Sequence, residues 1–167
     1  MEKILWAPWR VEFVTGGEGN KEGCIFCLSA SEQEDEKNLI FERRSKVFGM
    51  LNKFPYNTGH IMIAPYRHIT SIEGFEKEEW DDLTGLLKDA VAVLREQMRP
   101  DGFNIGFNIG KAAGAGFDHI HLHIVPRWSG DTNFMPVLSS VKVMPEHLSR
   151  TLERIRKGFR ERGRESA

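Results

Sequence analysis

Three of the six histidines in this 167-residue chain stand at alternate positions of one short apolar run. The run reads DHIHLHIVPRW over residues 118–128, with His119, His121 and His123 separated by isoleucine and leucine. Side chains at every second position share one face of a β-strand, whereas on a helix they would be spread around the axis. The run therefore predicts a strand that ends at Pro126, buries its aliphatic residues on one face and presents three imidazoles on the other.

Imidazoles spaced in this way could serve three purposes. They could form a polar strand face, ligate a catalytic zinc ion, or provide a nucleophilic histidine with neighbouring helpers. The preceding segment helps to choose, because Asn108 is followed by the glycine-rich sequence IGKAAGAGFD. Such a loop lets backbone N–H groups approach the oxygens of a phosphate. A loop of this kind beside three imidazoles favours chemistry at phosphorus.

The only two cysteines, Cys24 and Cys27, form the sequence CIFC. A single Cys-x-x-Cys pair indicates half of a zinc site or a redox dithiol rather than an extracellular disulfide framework. A redox dithiol is expected to open a helix, and the sequence here does not predict one. The pair therefore favours metal binding, with a reduced, metal-free pair as the alternative.

The elements that would position these groups follow from periodicity. Besides the histidine run, strands are predicted at 39–42, 47–52, 60–65 and 102–110, and helices at 76–98 and, with Pro145 in the first turn, at about 145–159. Residues 1–23 are predicted to be irregular. The pattern predicts one α+β domain over residues 1–167, with an antiparallel sheet of about five strands, one long helix, and a C-terminal helix within an extension at 129–167.

Composition restricts the partners of the chain. Lys plus Arg is 23 and Asp plus Glu is 24, so the formal net charge of -1 gives no overall attraction to nucleic acid or to a membrane. The acidic run at 31–36 and the basic run at 150–164 are interpreted as solvated surface. The N-terminal residues lack the apolar core of a signal peptide, and no apolar run reaches the ~18 residues of a membrane span. We therefore expect a cytoplasmic protein.

The sequence HIHLHIV at 119–125 resembles the motif of the histidine triad family, in which three histidines alternate with apolar residues and further apolar residues follow. The segment NTGHIMIAPYRHI at 57–69 is similar to the family's upstream strand, and the resemblance extends from about Cys24 to Trp128. Family members bind nucleotides and transfer a nucleotidyl group through the middle histidine. The resemblance therefore implies that His121 is the nucleophile, oriented by a backbone carbonyl, and that a covalent nucleotidyl-histidine forms.

The same resemblance implies roles for the residues around the nucleophile. His123 would contact phosphate oxygens or assist proton transfer to the leaving group, and His60 would buttress the triad. Asn108 would reach the α-phosphate, and Asn52 would reach the ribose hydroxyls. The other residues implied in nucleotide binding are Phe48 and Leu51 for adenine, unless they are core residues, Gly114, Ala115 and Gly116 for the phosphates, and Trp128, which either closes the site or packs at the strand end.

Some bacterial members of the family look similar at the cysteine pair and complete a Cys₂His₂ zinc site. The matching residues imply His68 and His119 as the other two ligands, and zinc would then pin the N-terminal segment to the strands. The three histidines of the motif would have different tasks: His119 in the metal site, His121 in the attack on phosphorus, and His123 at the phosphate.

The sequences LWAPWR near the N-terminus and PRWSGDTNFMPV after the triad resemble most the bacterial diadenosine tetraphosphate phosphorylase-like branch. That branch implies an adenosine dinucleoside polyphosphate as substrate, and the family implies a homodimer. Lys111, Arg127 and the amides of 114–116 could attract an acceptor phosphate, which favours phosphorolysis to ADP and ATP. The alternatives are hydrolysis of the same substrates, a Hint-type phosphoramidase, a zinc hydrolase with all three histidines as ligands, and a non-catalytic nucleotide-binding module.

Overall fold

Residues 23–131 and 146–165 are described by the structure, a computed structural model of the chain. The elements in chain order are α1 (Ile25–Ser31), β1 (Ile40–Arg43), β2 (Val47–Leu51), β3 (Ile61–Pro65), α2 (Lys77–Met98), β4 (Gly102–Phe107), β5 (Leu122–Arg127) and α3 (Leu148–Glu165). Short 3₁₀ turns lie at Ile72–Gly74 and Lys111–Ala113. The predictions for residues 1–22 and for Pro145 fall outside the described residues.

The five strands form one antiparallel sheet in the order β1-β2-β3-β5-β4. The predicted α+β class is confirmed, and so are the four strands, the histidine strand and both helices. The ends of these four strands differ from the prediction by at most three residues, and α3 begins at Leu148 and continues to Glu165, beyond the predicted end at Phe159.

Two apolar clusters lie on opposite sides of this sheet, since side chains alternate along each strand. One side packs against α2 and α3 and buries, among others, Leu51, Leu83, Ile124 and Ile155. The other side holds Phe26 of α1, which packs with residues that include Phe48 and Met62. Leu122 and Ile124 of β5 belong to the helix side, so His123 between them faces the side of α1.

The histidine strand departs from its prediction at both ends. His119 and His121 precede β5, because the Ile120 N–H donates to the carbonyl of Ile69, beyond the end of β3. The strand continues through Pro126, where β3 no longer pairs with it and β4 is the remaining neighbour, so a missing N–H is tolerated. The imidazole face is also not open to solvent, because His119 and His121 are buried.

Two arginine side chains hold the segments that flank the sheet in place. The Arg43 guanidinium donates to the carbonyls of Ser29, Ala30 and Glu32, which secures the C-terminal end of α1. Arg67 pairs with the buried Glu79, whose carboxylate also accepts the Glu76 N–H in the capping box of α2. Arg67 thereby fixes the segment after β3, where His68 lies.

Neither long helix could span a bilayer: within residues 23–131 and 146–165, each lacks the apolar stretch that a membrane crossing requires.

Candidate active site and metal centre

His121 is a buried imidazole with one fixed tautomer. Its Nδ1 lies 2.8 Å from the carbonyl oxygen of His119, and because a carbonyl only accepts, Nδ1 must carry the proton. The Nε2 atom therefore presents its lone pair. Burial lowers the pKa of His121, against a smaller opposing effect of the His119 carbonyl. The ring is consequently neutral and nucleophilic near pH 7.

His123 and His60 form an imidazole pair beside His121. The Tyr56 N–H donates to His60 Nδ1 at 3.1 Å, so the neutral His60 ring carries its proton on Nε2. That Nε2–H donates to His123 Nδ1 at 2.9 Å, which leaves the proton of a neutral His123 on its own Nε2. The centroids of His121 and His123 are 4.7 Å apart. A proton donor thus stands next to a lone-pair nucleophile, an arrangement suited to transfer at phosphorus.

His119 turns away from these two rings toward the cysteines. Its Nδ1 lies 3.2 Å from Cys24 Sγ and 3.6 Å from Cys27 Sγ, and His68 Nδ1 lies 3.4 Å from Cys27 Sγ. The ligand atoms of all four residues lie within 4.8 Å of one another. Tetrahedral zinc with ordinary bond lengths places sulfur and nitrogen ligands about 3.6 Å apart. The cluster therefore fits a zinc ion.

The protonation of the cluster also suits a metal. His119 Nε2–H donates to the Pro65 carbonyl at 3.1 Å, which points the Nδ1 lone pair at the cysteines. Burial lowers the pKa of His119 to about 4, so the ring is neutral near pH 7. Burial and the neighbouring Cys24 raise the pKa of Cys27, so a metal would displace thiol protons on binding.

These contacts argue against a zinc hydrolase that uses all three histidines of the motif as ligands. His119 faces the cysteines, His121 bonds to the backbone, and His123 pairs with His60, so the three rings do not converge on one point. Within residues 23–131 and 146–165, the cysteine-histidine cluster is the one group arranged to hold a metal.

The expectation that no helix opens at the cysteine pair is wrong. Cys24 is the N-cap of α1, and Cys27 lies in its first turn. This is the placement of a redox dithiol, so the helix alone does not separate the two interpretations. The two histidine nitrogens beside the sulfurs favour the metal.

The glycine-rich loop uses two of its predicted phosphate donors internally. The Gly114 N–H donates to the Lys111 carbonyl, and the Ala115 N–H donates to the Gly110 carbonyl. Gly114 has a φ of +87°, and a Cβ there would stand 4.0 Å from Asn108 Nδ2. Asn108 therefore lies beside this loop and its contact with the α-phosphate stays a prediction, whereas the amides of Gly114 and Ala115 are not available in this conformation. Phosphate binding by Gly116 and by the exposed Lys111 stays a prediction.

The residues proposed for adenine and ribose lie on different sides of the sheet. Phe48 lies on the side of α1 and stacks on Tyr66, but Leu51 is buried against the helices, so Leu51 is a core residue and cannot share a pocket with Phe48. Asn52 is half-buried, and its Oδ1 accepts the Phe54 N–H at 2.8 Å. An oxygen engaged in this turn keeps a second lone pair for a hydroxyl.

Trp128 and Arg127 lie away from the triad. At the rise of a strand, the chain from His121 to Arg127 spans about 20 Å. Arg127 binds both oxygens of Asp131, and Trp128 Nε1–H donates to the Arg99 carbonyl. Trp128 therefore packs at the strand end and does not close the site within this chain, and Arg127 is not placed to attract an acceptor phosphate.

Two site residues were missed by sequence reasoning. Phe26 packs at a tilt against the rings of His121 and His119, with centroid distances of 4.6 and 5.1 Å. Tyr56 supplies the N–H that sets the His60 tautomer and stacks on that ring. The position of Phe26 inside CIFC was the available signal, because an apolar residue between two candidate ligands must pack near the site that they form. Nothing in the sequence marks Tyr56.

Comparison with known proteins agrees with this geometry. A family model for the HIT domain matches residues 32–130, and the chain belongs to this histidine triad family. It is 34% identical over 154 residues to the AP-4-A phosphorylase of Mycobacterium tuberculosis, which covers 88% of this chain and 79% of that protein. It is 32% identical over 88 residues to a bis(5'-adenosyl)-triphosphatase of Dictyostelium discoideum, covering 53% of this chain and 59% of the relative.

Among solved structures, the fold is similar to a zinc-bound histidine triad family protein from Mycobacterium smegmatis. The TM-score is 0.67 at 23% identity, and the match covers 84% of this chain and 96% of the other. At this identity the likeness shows the fold. Together with the sequence relatives, it places the chain among enzymes that act on nucleotides.

Burial of neutral imidazoles predicts a pH-dependent stability. The folded pKa of His119 is about 4 and that of His121 is also lowered, whereas both are near 6.5 in the unfolded chain. The unfolded state therefore binds more protons below about pH 6.5, so this contribution is complete above that pH and is lost as the pH falls toward 4. We expect the unfolding free energy of metal-free protein, measured in urea, to fall across this window.

Two variants identify the groups responsible. His119→Gln and His121→Asn should each flatten the pH dependence. A wild-type stability that does not change between about pH 6.5 and 4.5 would contradict the assignment.

Proposed function

We propose that the protein cleaves adenosine dinucleoside polyphosphates by transferring a nucleotidyl group first to His121 and then to inorganic phosphate. The observation that carries the proposal is the buried, neutral His121 ring, whose Nδ1–H is held by the His119 carbonyl while Nε2 presents a lone pair. The similarity to an AP-4-A phosphorylase supports diadenosine tetraphosphate as the substrate.

The first step forms the covalent intermediate. His121 Nε2 attacks the α-phosphorus next to one adenosine, and the bond from this phosphorus to its bridging oxygen breaks. With diadenosine tetraphosphate the leaving group is ATP, which departs as an anion, and the His123 Nε2–H can stabilise its departing oxygen by a hydrogen bond. The Nδ1–H bond to the His119 carbonyl stabilises the positive charge that the His121 ring acquires.

The second step transfers AMP to the acceptor. An oxygen of inorganic phosphate attacks the phosphorus, the bond to Nε2 breaks, and ADP leaves while His121 regains its lone pair. An anionic acceptor needs a nearby cation, and Lys111 at the start of the glycine-rich loop is the residue that we assign to this task. Attack by water in place of phosphate would give AMP, so the products distinguish phosphorolysis from hydrolysis.

Product analysis tests this choice of acceptor. Diadenosine tetraphosphate with inorganic phosphate should yield ADP and ATP, and Lys111→Ala should raise the phosphate concentration that half-saturates the reaction. Lys157→Ala, at an exposed position of α3, is a control and should leave it unchanged. Release of AMP and ATP at one rate with and without phosphate would identify a hydrolase and reject the phosphorylase assignment.

Replacement of the nucleophile should separate chemistry from binding. His121→Asn keeps a polar side chain of similar reach but cannot form the intermediate, so kcat should fall by about a thousandfold or more. The affinity for AMP, measured by calorimetry, should change little. His147→Asn, at an exposed position outside the triad, is the control. Near-full turnover by His121→Asn would reject the role of His121.

We further propose zinc as the ion held by Cys24, Cys27, His68 and His119. The support is the spacing of the four ligand atoms, the second hydrogen bond that orients His119, and the zinc-bound state of a protein with the same fold. Here zinc would be structural, since four protein ligands complete a tetrahedral shell and leave no position for a substrate.

Metal analysis tests the zinc site. Protein purified without added zinc should contain about one zinc per chain. The ion should be lost in Cys24→Ser/Cys27→Ser and in His68→Gln, with a lower melting temperature but residual turnover, and retained in His147→Gln. Metal-free wild type with normal activity and stability would reject the site.

The assembly that we propose is a homodimer across the free edge of the sheet. Among residues 23–131 and 146–165, β4 pairs with β5 alone, and its Ile105 is 46% exposed, close to the apolar residues Leu87 and Val91 of α2. An apolar edge strand is a surface for self-association, and a twofold axis would pair β4 with its copy.

A single charge at this edge should dissociate the dimer. Ile105→Glu should sediment as a monomer, whereas Ile72→Glu, which changes an equally exposed isoleucine elsewhere, should remain a dimer. Wild type that sediments as a monomer at micromolar concentration would contradict the proposed assembly.

A further inference from the structure

We propose that Phe26 is a positioning residue for His121, which fixes the plane of the imidazole and links the nucleophile to the metal cluster. This inference rests on the proposed role of His121 and extends it to a residue outside the histidine motif.

The His121 ring needs a second constraint besides its hydrogen bond. The bond from Nδ1 to the His119 carbonyl fixes the proton and one point of the ring, but the ring can still swing about this bond. The Phe26 ring lies against one face of the imidazole, with a centroid distance of 4.6 Å and an interplanar angle of 30°. This tilted contact on one face opposes the swing and keeps Nε2 aimed in one direction.

The helix that carries Phe26, α1, is held at both of its ends. Phe26 lies between Cys24 and Cys27, the two sulfur ligands, at the start of the helix. The other end of the helix is held by Arg43 through three backbone carbonyls. A metal that draws both sulfurs toward His119 would therefore fix the Phe26 ring and the carbonyl that orients His121 together.

The position of Phe26 leaves little room for a direct role in binding a base. Its side chain is 1% exposed. One imidazole lies at 4.6 Å, a second at 5.1 Å, and the ring of Phe117 meets it edge-on at 6.1 Å. An adenine could not stack on this ring without displacing a histidine, so the effect of Phe26 on the reaction must pass through His121.

The test compares Phe26→Leu and Phe26→Met with Phe41→Leu. The two Phe26 variants keep apolar volume but lose the flat ring, and Phe41 is a buried phenylalanine on the helix side of the sheet. For both Phe26 variants we expect kcat to fall about ten- to hundredfold, with KM within about twofold of wild type and zinc content unchanged. Phe41→Leu should lower the melting temperature comparably but leave kcat unchanged.

A measurement on the free protein makes the result independent of turnover. In wild type, ¹⁵N spectra of the His121 ring should show one rigid Nδ1–H tautomer, and in both Phe26 variants the ring signals should broaden or average. This readout also separates the inference from the proposed function, because it still reports on the ring if wild type shows no nucleotidyl transfer.

Three results would overturn the proposal. Unchanged kcat and unchanged ring signals in both Phe26 variants would show that the hydrogen bond alone fixes His121. A rise in KM without a fall in kcat would indicate that Phe26 contacts the substrate. A fall in kcat that accompanies loss of zinc and is restored by adding zinc would assign Phe26 to metal retention instead.

Discussion

The hydrogen bond from His121 Nδ1 to the His119 carbonyl is the interaction on which the candidate active site depends. It determines which ring nitrogen carries the proton and therefore which one can attack phosphorus. The carbonyl can do this because three contacts fix its position. The His119 Nε2–H donates to the Pro65 carbonyl, and His119 Nδ1 faces Cys24 Sγ. The N–H of the following residue, Ile120, donates to the Ile69 carbonyl. The proposed metal site and the orientation of the proposed nucleophile thus share one residue.

The sheet separates stability from chemistry. Its helix side buries aliphatic residues such as Leu83, Leu94 and Ile124 against α2 and α3 and contains no part of the triad. The other side is covered by α1, so the imidazoles stand in a buried layer that keeps His119 and His121 neutral. Burial would be costly for imidazoles without partners, but each ring of the motif has a hydrogen-bonding partner in this layer.

Sequence reasoning was sufficient where the pattern is local. Alternating residues predicted the strand of His123, and the spacing of Leu83, Leu87 and Leu94 predicted α2. It was insufficient where tertiary contacts decide. A carbonyl of Ile69 draws the chain out of the sheet before β5 begins, Arg43 stabilises a helix that has only seven residues, and the amides of Gly114 and Ala115 turn inward. The prediction that Leu51 contacts adenine together with Phe48 was wrong, because residues three positions apart on a strand point to opposite faces of the sheet.

Trapping the intermediate tests the central claim most directly. Protein mixed with excess diadenosine tetraphosphate and quenched within one turnover should carry one AMP, detected by intact mass and mapped by fragmentation to His121. The adduct should be lost in acid and stable in base, as expected for a phosphorus–nitrogen bond. Turnover without any adduct at early times, or an adduct on another residue, would contradict the account.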